Sequence, residues 1–301
     1  MGEKDISEKY LLAYEDVFTD VYNVLFFAAD IIQQEYLRRD GNETIYKVGN
    51  KSRIQQRDVV KEYVKDGKIL CVLGIENQTD EDGDMPIRVM GYDYGDYREM
   101  LDHEKQIVPV VTIVLNFGEK RWKKGKSLKE LVKNVPEEIK SRMQDYQIQV
   151  YDVAYLPEST RKCFTSDFKI IADFFAERNR EDYKPSMEKI EHGEAVLELI
   201  AIFTKDTRYQ EIQEEVKNMV EEGREVSMCV FAERMERRGI EKGEKLGIEK
   251  GEKLGIKKGE KLGILQVAER MLKGNKPYQE IEMYTGLSAE ELKKLAEQQG
   301  L

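Results

Sequence analysis

Between Val108 and Phe117 the chain reads VPVVTIVLNF, a strand-length run that is apolar on both of its alternating faces. Successive strand side chains point to opposite sides, so such a segment is stable only when both sides are covered. That excludes a sheet with one wet face and asks for helical layers above and below. The flanking sequence supplies them. Over residues 8–38, Leu11, Tyr14, Phe18, Val21, Tyr22, Leu25 and Phe26 recur mostly three or four apart, the spacing of a helix with one buried face, and Arg39-Asp40-Gly41-Asn42 provides a stop. Further helices are predicted over 86–105, opened by Pro86, at Ser127–Asn134 and at Phe168–Arg178. Strands are predicted at Thr44–Val48, Asp58–Val64, Lys68–Glu76 and Gln147–Leu156. The fold class is therefore α/β, a mixed β-sheet flanked by helices and followed by an all-helical C-terminal tail.

The tail divides by composition. Residues 183–238 are charged and amphipathic and read as a helical extension. Residues 239–264 repeat an octad, GIEKGEKL, with glycine at every fourth position from Gly239 to Gly263. Each interior glycine costs a helix about 1 kcal/mol against alanine. Eight residues advance about 80° beyond whole turns, so the Ile and Leu positions do not stay on one face. The segment reads as a marginal helix or flexible spacer, or alternatively as an oligomeric helical stalk. Residues 265–301 hold two short helices around Gly-Leu-Ser, with Ser288 and Glu291 spaced as a capping box. They form either a self-associating hairpin or a helix-turn-helix-like module.

Composition removes several chemistries. Cys71, Cys163 and Cys229 are an odd, widely spaced set, expected as buried free thiols in a reducing compartment. The two histidines, His103 and His192, cannot build a Cys/His zinc site without CxxC or HExxH. Phosphate-loop, dinucleotide-binding and GxSxG motifs are missing from the sequence. No apolar run approaches the roughly 20 residues of a membrane span, and the opening MGEKDISEKY has no leader character. A cytoplasmic protein without membrane association is expected. A net charge of −10 means that any nucleic-acid contact must be made by a locally cationic face.

The stretch from Arg57 to Gln78 carries the chemistry. It has a carboxylate at the start of one hairpin strand and Glu-x-Gln at the end of the next. Mg2+ prefers hard oxygen ligands and keeps several waters, so Asp58, Glu76 and the carbonyl of Asn77 could hold it. Glu76 and Gln78 share a face because they are two apart. Asp58 joins them only in one class of register. A two-residue loop at Asp66-Gly67 pairs Lys65 with Lys68 and sets Asp58 across from Ile75, on the wrong face. A three-residue loop pairs Val64 with Lys68, sets Asp58 across from Gly74 and brings it to the Glu76 side.

The segment RDVVKEYVKDGKILCVLGIENQT resembles the Asp…Glu-x-Gln core of PD-(D/E)XK nucleases. It resembles more closely the Rpn family of recombination-promoting nucleases/putative transposases. The likeness continues through MPIRVMGYDYGDY (85–97), IVPVVTIVLNFGEKRW (107–122) and the Gly-Ile-Glu-Lys repeats. It implies a restriction-endonuclease-like domain over 1–182 and cleavage of double-stranded DNA dependent on Mg2+, with Mn2+ or Ca2+ as substitutes. By the same resemblance Asp58 and Glu76 are metal ligands and catalytic together with Gln78, which stands where the wider superfamily has lysine. An acid of the first helix assists the metal in that superfamily; Asp20 is the first choice here and Asp16 the second. Arg121, Lys123, Lys124 and Lys126, around the only Trp, suit a DNA backbone contact or form a solvated loop. Arg88, Tyr92, Tyr94 and Tyr97 are either phosphate- and base-contacting groups or helix core. The competing reading is a catalytically weak, nuclease-fold DNA-binding or regulatory protein that forms a homo-oligomer through its C-terminal helices.

Overall fold

The apolar run forms an interior strand, Val110–Asn116, with a neighbour on each side. The computed structural model describes residues 11–39, 43–48 and 51–299. It divides the chain into two compact units, Met1–Met235 and Glu236–Leu301.

The first unit is built on a five-stranded mixed sheet in the order β1 (Leu37–Arg39), β4 (Val59–Lys65), β5 (Lys68–Gln78), β6 (Val110–Asn116) and β7 (Gln149–Asp152). β1, β4 and β5 pair antiparallel, and β5, β6 and β7 pair parallel. A separate ribbon joins β2 (Glu43–Val48) to β3 (Lys51–Gln56), the latter not foreseen as a strand. On one face of the sheet lies α2 (Met85–Asp102). Its Met85, Val89 and Tyr92 pack with Val114, and Met100 packs with Val60, Val72 and Val110. On the other face Val59, Leu73, Ile75, Ile113 and Leu115 meet α1 (Glu15–Val21), α6 (Phe168–Glu177) and α7 (Gly193–Thr204). Apart from Thr112 and Asn116, β6 is thus apolar on both sides, and both are covered. Each such fully buried aliphatic side chain contributes about 1.5–3 kcal/mol.

The first helix is shorter than its periodicity suggests. α1 passes into a π-helical turn, Tyr22–Phe27, and ends at Ala28 with φ 49°. Asn23 accounts for the stop. Its side chain accepts from the amides of Ile31 (3.1 Å) and Ile32 (2.8 Å) and donates to the Ile32 carbonyl (2.9 Å), closing the chain on itself. Leu37–Arg39 then becomes an edge strand where helix was expected. Asp40, Gly41 and Asn42 of the predicted stop lie outside the described residues. The strand predicted over 147–156 is likewise divided, with β7 followed by a 3-10 turn at Val153–Tyr155.

Two short helices, α3 (Leu128–Leu131) and α4 (Glu137–Lys140), lead from β6 to β7, and α5 (Glu158–Arg161) precedes α6. After α7 come α8 (Thr207–Glu211), α9 (Gln213–Glu221) and the 46-residue α10 (Met228–Lys273). In the second unit the octad repeat is helical and exposed at every residue from 239 to 264. Ile240, Ile248 and Ile256 are all more than half exposed, as expected when an eight-residue period winds around a 3.6-residue helix. The small core of this unit joins Ala268 and Leu272 to Ile281 of α11 (Tyr278–Thr285) and to Leu292 and Leu295 of α12 (Ala289–Gln299). The capping box is formed: the Glu291 amide donates to Ser288 Oγ (3.3 Å), and the Ser288 amide donates to Glu291 Oε2 (2.9 Å).

Candidate active site

The β4–β5 turn is the two-residue kind, with Lys65 paired to Lys68 and left-handed φ at Asp66 (52°) and Gly67 (73°). A regular ladder from there would place Asp58 across from Ile75, on the wrong face. It does not run regularly. Val64 pairs with Ile69 but Tyr63 pairs with Cys71, so Leu70 is an extra residue in a β-bulge. Beyond the bulge Val60 faces Gly74 and Val59 faces Ile75, and continuing that register sets Asp58 across from Glu76. In that register the positions of Asp58 and Glu76 fall on the α2 side, and the charges of both carboxylates reach Tyr92 of α2. The short loop and the shared face, which excluded one another in an unbroken ladder, coexist.

Glu76 is 2% exposed and Asp58 9%. Asp58 Oδ2 accepts the Asn77 amide at 2.7 Å, which ties the start of β4 to the end of β5. Glu76 Oε1 accepts from Arg88 Nη2, from the Tyr92 hydroxyl (3.4 Å) and from Gln78 Nε2 (3.5 Å). Arg88 also donates to Asp82 at 2.8 Å and to the Tyr92 hydroxyl at 3.2 Å. Partial burial opposes the charge on Arg88, but the Glu76 carboxylate, Tyr92 and Asp82 outweigh it and hold the guanidinium well above its ordinary pKa. Burial, then the negative charge of Glu76, pushes the Tyr92 hydroxyl up to about 12. Arg88 and Tyr92 are thus built into the site itself, while Tyr97 receives the Val110 amide and Tyr94 is exposed.

Beside the site on the same face lies an ionic cluster that sequence reading missed. Arg57, 2% exposed, donates to Asp93 (3.2 Å) and Asp96 (2.5 Å) of α2. Asp93 also accepts from Thr112 Oγ1 (2.9 Å) and the Tyr146 hydroxyl. Burial raises the Asp93 carboxyl above its usual range, against the lowering effect of Tyr146 and Arg57. Gly74 makes the room, since a Cβ there would sit 2.9 Å from Arg57 Cδ. A glycine inside an apolar strand was the available signal.

Asp20 does not join Asp58 and Glu76. Its carboxylate accepts from the amides and hydroxyls of both Thr165 and Ser166, with bonds of 2.7 to 3.4 Å, and so holds the entry to α6. Asp16 pairs with His192 at 3.0 Å. Among the described residues, no three or more His, Cys, Asp or Glu form a group that could hold a metal ion.

The basic loop is anchored by Trp122, which is buried and whose amide donates to Asp152 (2.8 Å). Lys123 and Lys124 give their amides to Glu81, and Gly125 and Lys126 give theirs to Glu130. The amides of Lys123 and Lys124, in that order of weight, lower the Glu81 carboxyl. The Arg121 guanidinium lies over Tyr155, 4.6 Å from the ring centre. Arg121, Lys123 and Lys124 are exposed, and Lys126 is half-buried.

Comparison with known families matches residues 58–173 to the family described as putative transposase, YhgA-like, which lies within the Rpn/PD-(D/E)XK-like group. Over residues 58–173 the chain is similar to this family. The matched segment opens on Asp58 and takes in Glu76, Gln78, Arg88 and the basic loop, while Asp20 falls before it. Neither the curated proteins nor the solved structures contain a match to the chain. Among the described residues no helix is long and apolar enough to cross a membrane.

Proposed function

We propose that the first unit is a metal-dependent DNA endonuclease of the PD-(D/E)XK type, acting in recombination or on mobile elements. One observation carries the reading: the bulge at Leu70 sets a β4–β5 register that, continued by one residue, faces Asp58 with Glu76 in an Asp…Glu-x-Gln series. The donor set fits Mg2+, with Mn2+ or Ca2+ as substitutes, because that ion takes one or two carboxylates and otherwise keeps waters and substrate oxygens. The contact of Arg88 with Glu76 is a second sign that this carboxylate favours a cation beside it. Asp58 and Glu76 would hold the ion, which when bound supplies polarisation of the phosphodiester and an activated water. Gln78 lacks the charge of a lysine and orients by hydrogen bonding, as it already does toward Glu76. Arg88 pairs with Glu76, and were that carboxylate to hold an ion, the guanidinium would be free for a phosphate.

The test is conversion of supercoiled plasmid by the full chain in Mg2+ and in EDTA, with Asp58→Asn and Glu76→Gln alongside. Cleavage in Mg2+ alone, lost in both variants, is expected. The position of Arg88 on Glu76 favours one other reading, a non-catalytic DNA-binding protein whose acid is already neutralised. That reading requires DNA retention indifferent to EDTA and to Glu76→Gln, with no cleavage under any condition.

A further inference from the structure

We infer that a cleft at the C-terminal ends of β5, β6 and β7 takes an unpaired strand of nucleic acid; the inference rests on reading the first unit as a nuclease. The cleft begins at Thr79, one residue past Gln78, and continues over Phe117 after β6 and Tyr155 after β7. In open α/β sheets the carboxyl ends of the strands are where ligands bind. Its volume is about 1260 Å3. Pockets for single small molecules run to about 300–1,000 Å3, so a longer ligand suits it better.

Charge and rings define that ligand. Six Lys or Arg against four Asp or Glu line the cleft, in a chain whose net charge is −10. Lys205 caps α7 with φ 56° and is exposed, and among the described residues it has no ion pair. Arg121 stands over Tyr155 on the β7 side, and Tyr183 and Tyr209 are half-buried in the lining. Cations track a phosphate backbone, and aromatic rings in a recess stack on bases. A paired base has both faces covered by its neighbours, so only an unpaired strand can use such rings.

The position relative to the candidate site agrees. Glu76 lies on the α2 face, whereas Phe174 of α6 and Phe203 of α7 line the cleft on the other. A strand leaving Glu76 over the end of β5, at Gln78 and Thr79, enters the cleft. The substrate class is then DNA with a single-stranded segment next to the scissile phosphate: a flap, an overhang or an opened duplex.

The experiment measures binding of the full chain, in EDTA, to a fluorescein-labelled oligothymidine of about 20 nucleotides and to a duplex of equal length, a span that exceeds one binding site. The single strand is expected to bind at least tenfold more tightly. Arg121→Glu combined with Lys205→Glu, both exposed positions that disturb no core, should weaken strand binding on the order of tenfold or more and flatten its salt dependence. Tyr155→Ala should weaken it about tenfold through lost stacking. Equal affinity for strand and duplex, or strand affinity unmoved by the charge reversal, overturns the cleft. Strand binding intact without Mg2+-dependent cleavage overturns the nuclease and leaves the cleft standing, so the two failures are distinguishable.

Discussion

The β4–β5 hairpin and the octad repeat both carry a mismatch between sequence period and structural period, and they resolve it in opposite ways. In the hairpin one residue too many follows a two-residue turn, and the chain expels Leu70 into a bulge. Beyond it Val59 and Ile75 face the larger core, and Val60 and Val72 face α2. Two covered faces make a one-residue slip intolerable, because every side chain of β4 would change sides. In the repeat the drift is never corrected, and Ile and Leu wind around an exposed helix. Burial enforces register; where nothing is buried, nothing enforces it. Side chains that must converge therefore belong on the first kind of segment, where a bulge can aim them.

Glu76→Gln or Asp58→Asn should lower plasmid cleavage about 100- to 1,000-fold, the loss expected when a few kcal/mol of charge stabilisation disappears. Cleavage by either variant at more than a tenth of the parent rate would detach the hairpin from the chemistry.

Asp20 sharpens the point, since at 8% exposed it is as buried as Asp58 at 9%. Burial does not separate the two; partners do. Asp20→Ala leaves the Thr165 and Ser166 amides without their acceptor, at a cost of about 2–3 kcal/mol. Urea unfolding should register that loss, while cleavage at 25 °C stays within about twofold, well under 1 kcal/mol. A hundredfold fall in cleavage with unchanged stability would return Asp20 to the catalytic set.

How much of this was legible beforehand follows the range of the interaction. The apolar strand, the hairpin, the α2 boundaries and the Ser288–Glu291 box depend on neighbours in sequence, and all were readable. The acids at 58 and 76 were readable as a pair, but their shared face was not. Leu70 is one more apolar residue in KILCVLGIE, and nothing local marks it as the one expelled. Asp20 meets its partners 145 and 146 residues away, so its place on an amphipathic helix could not reveal them. Arg57 is the reverse, a residue type expected at the surface that is instead among the largest fully buried side chains.

If the bulge exists only to absorb one residue, removing Leu70 should leave every other pair of the hairpin in place. The ladder then runs evenly from Lys65–Lys68 to Val59–Ile75, which leaves Asp58 at the end of β5 beside the Asn77 amide. The expected result is cleavage within about threefold of the parent, less than 1 kcal/mol. Loss of activity on deletion would mean that the local twist of the bulge, and not the register alone, sets the acids.

The smallest effect is expected in the repeat, and its sign separates the two regions. A Cβ added at Gly247, Gly251 or Gly255 meets nothing within 4 Å, whereas one added at Gly74 would sit 2.9 Å from Arg57 Cδ. Alanine at the three repeat positions should therefore stabilise the helix by about 1 kcal/mol each, the difference in intrinsic propensity, and should leave cleavage unchanged. Gly74→Ala should do the reverse, lowering the stability of the first unit because Arg57 cannot move without abandoning Asp93 or Asp96. Thermal melts followed by circular dichroism at 222 nm report both. Destabilisation by alanine in the repeat would show that its glycines meet a partner that an isolated chain does not display, and the idea of a segment under no packing constraint would fall.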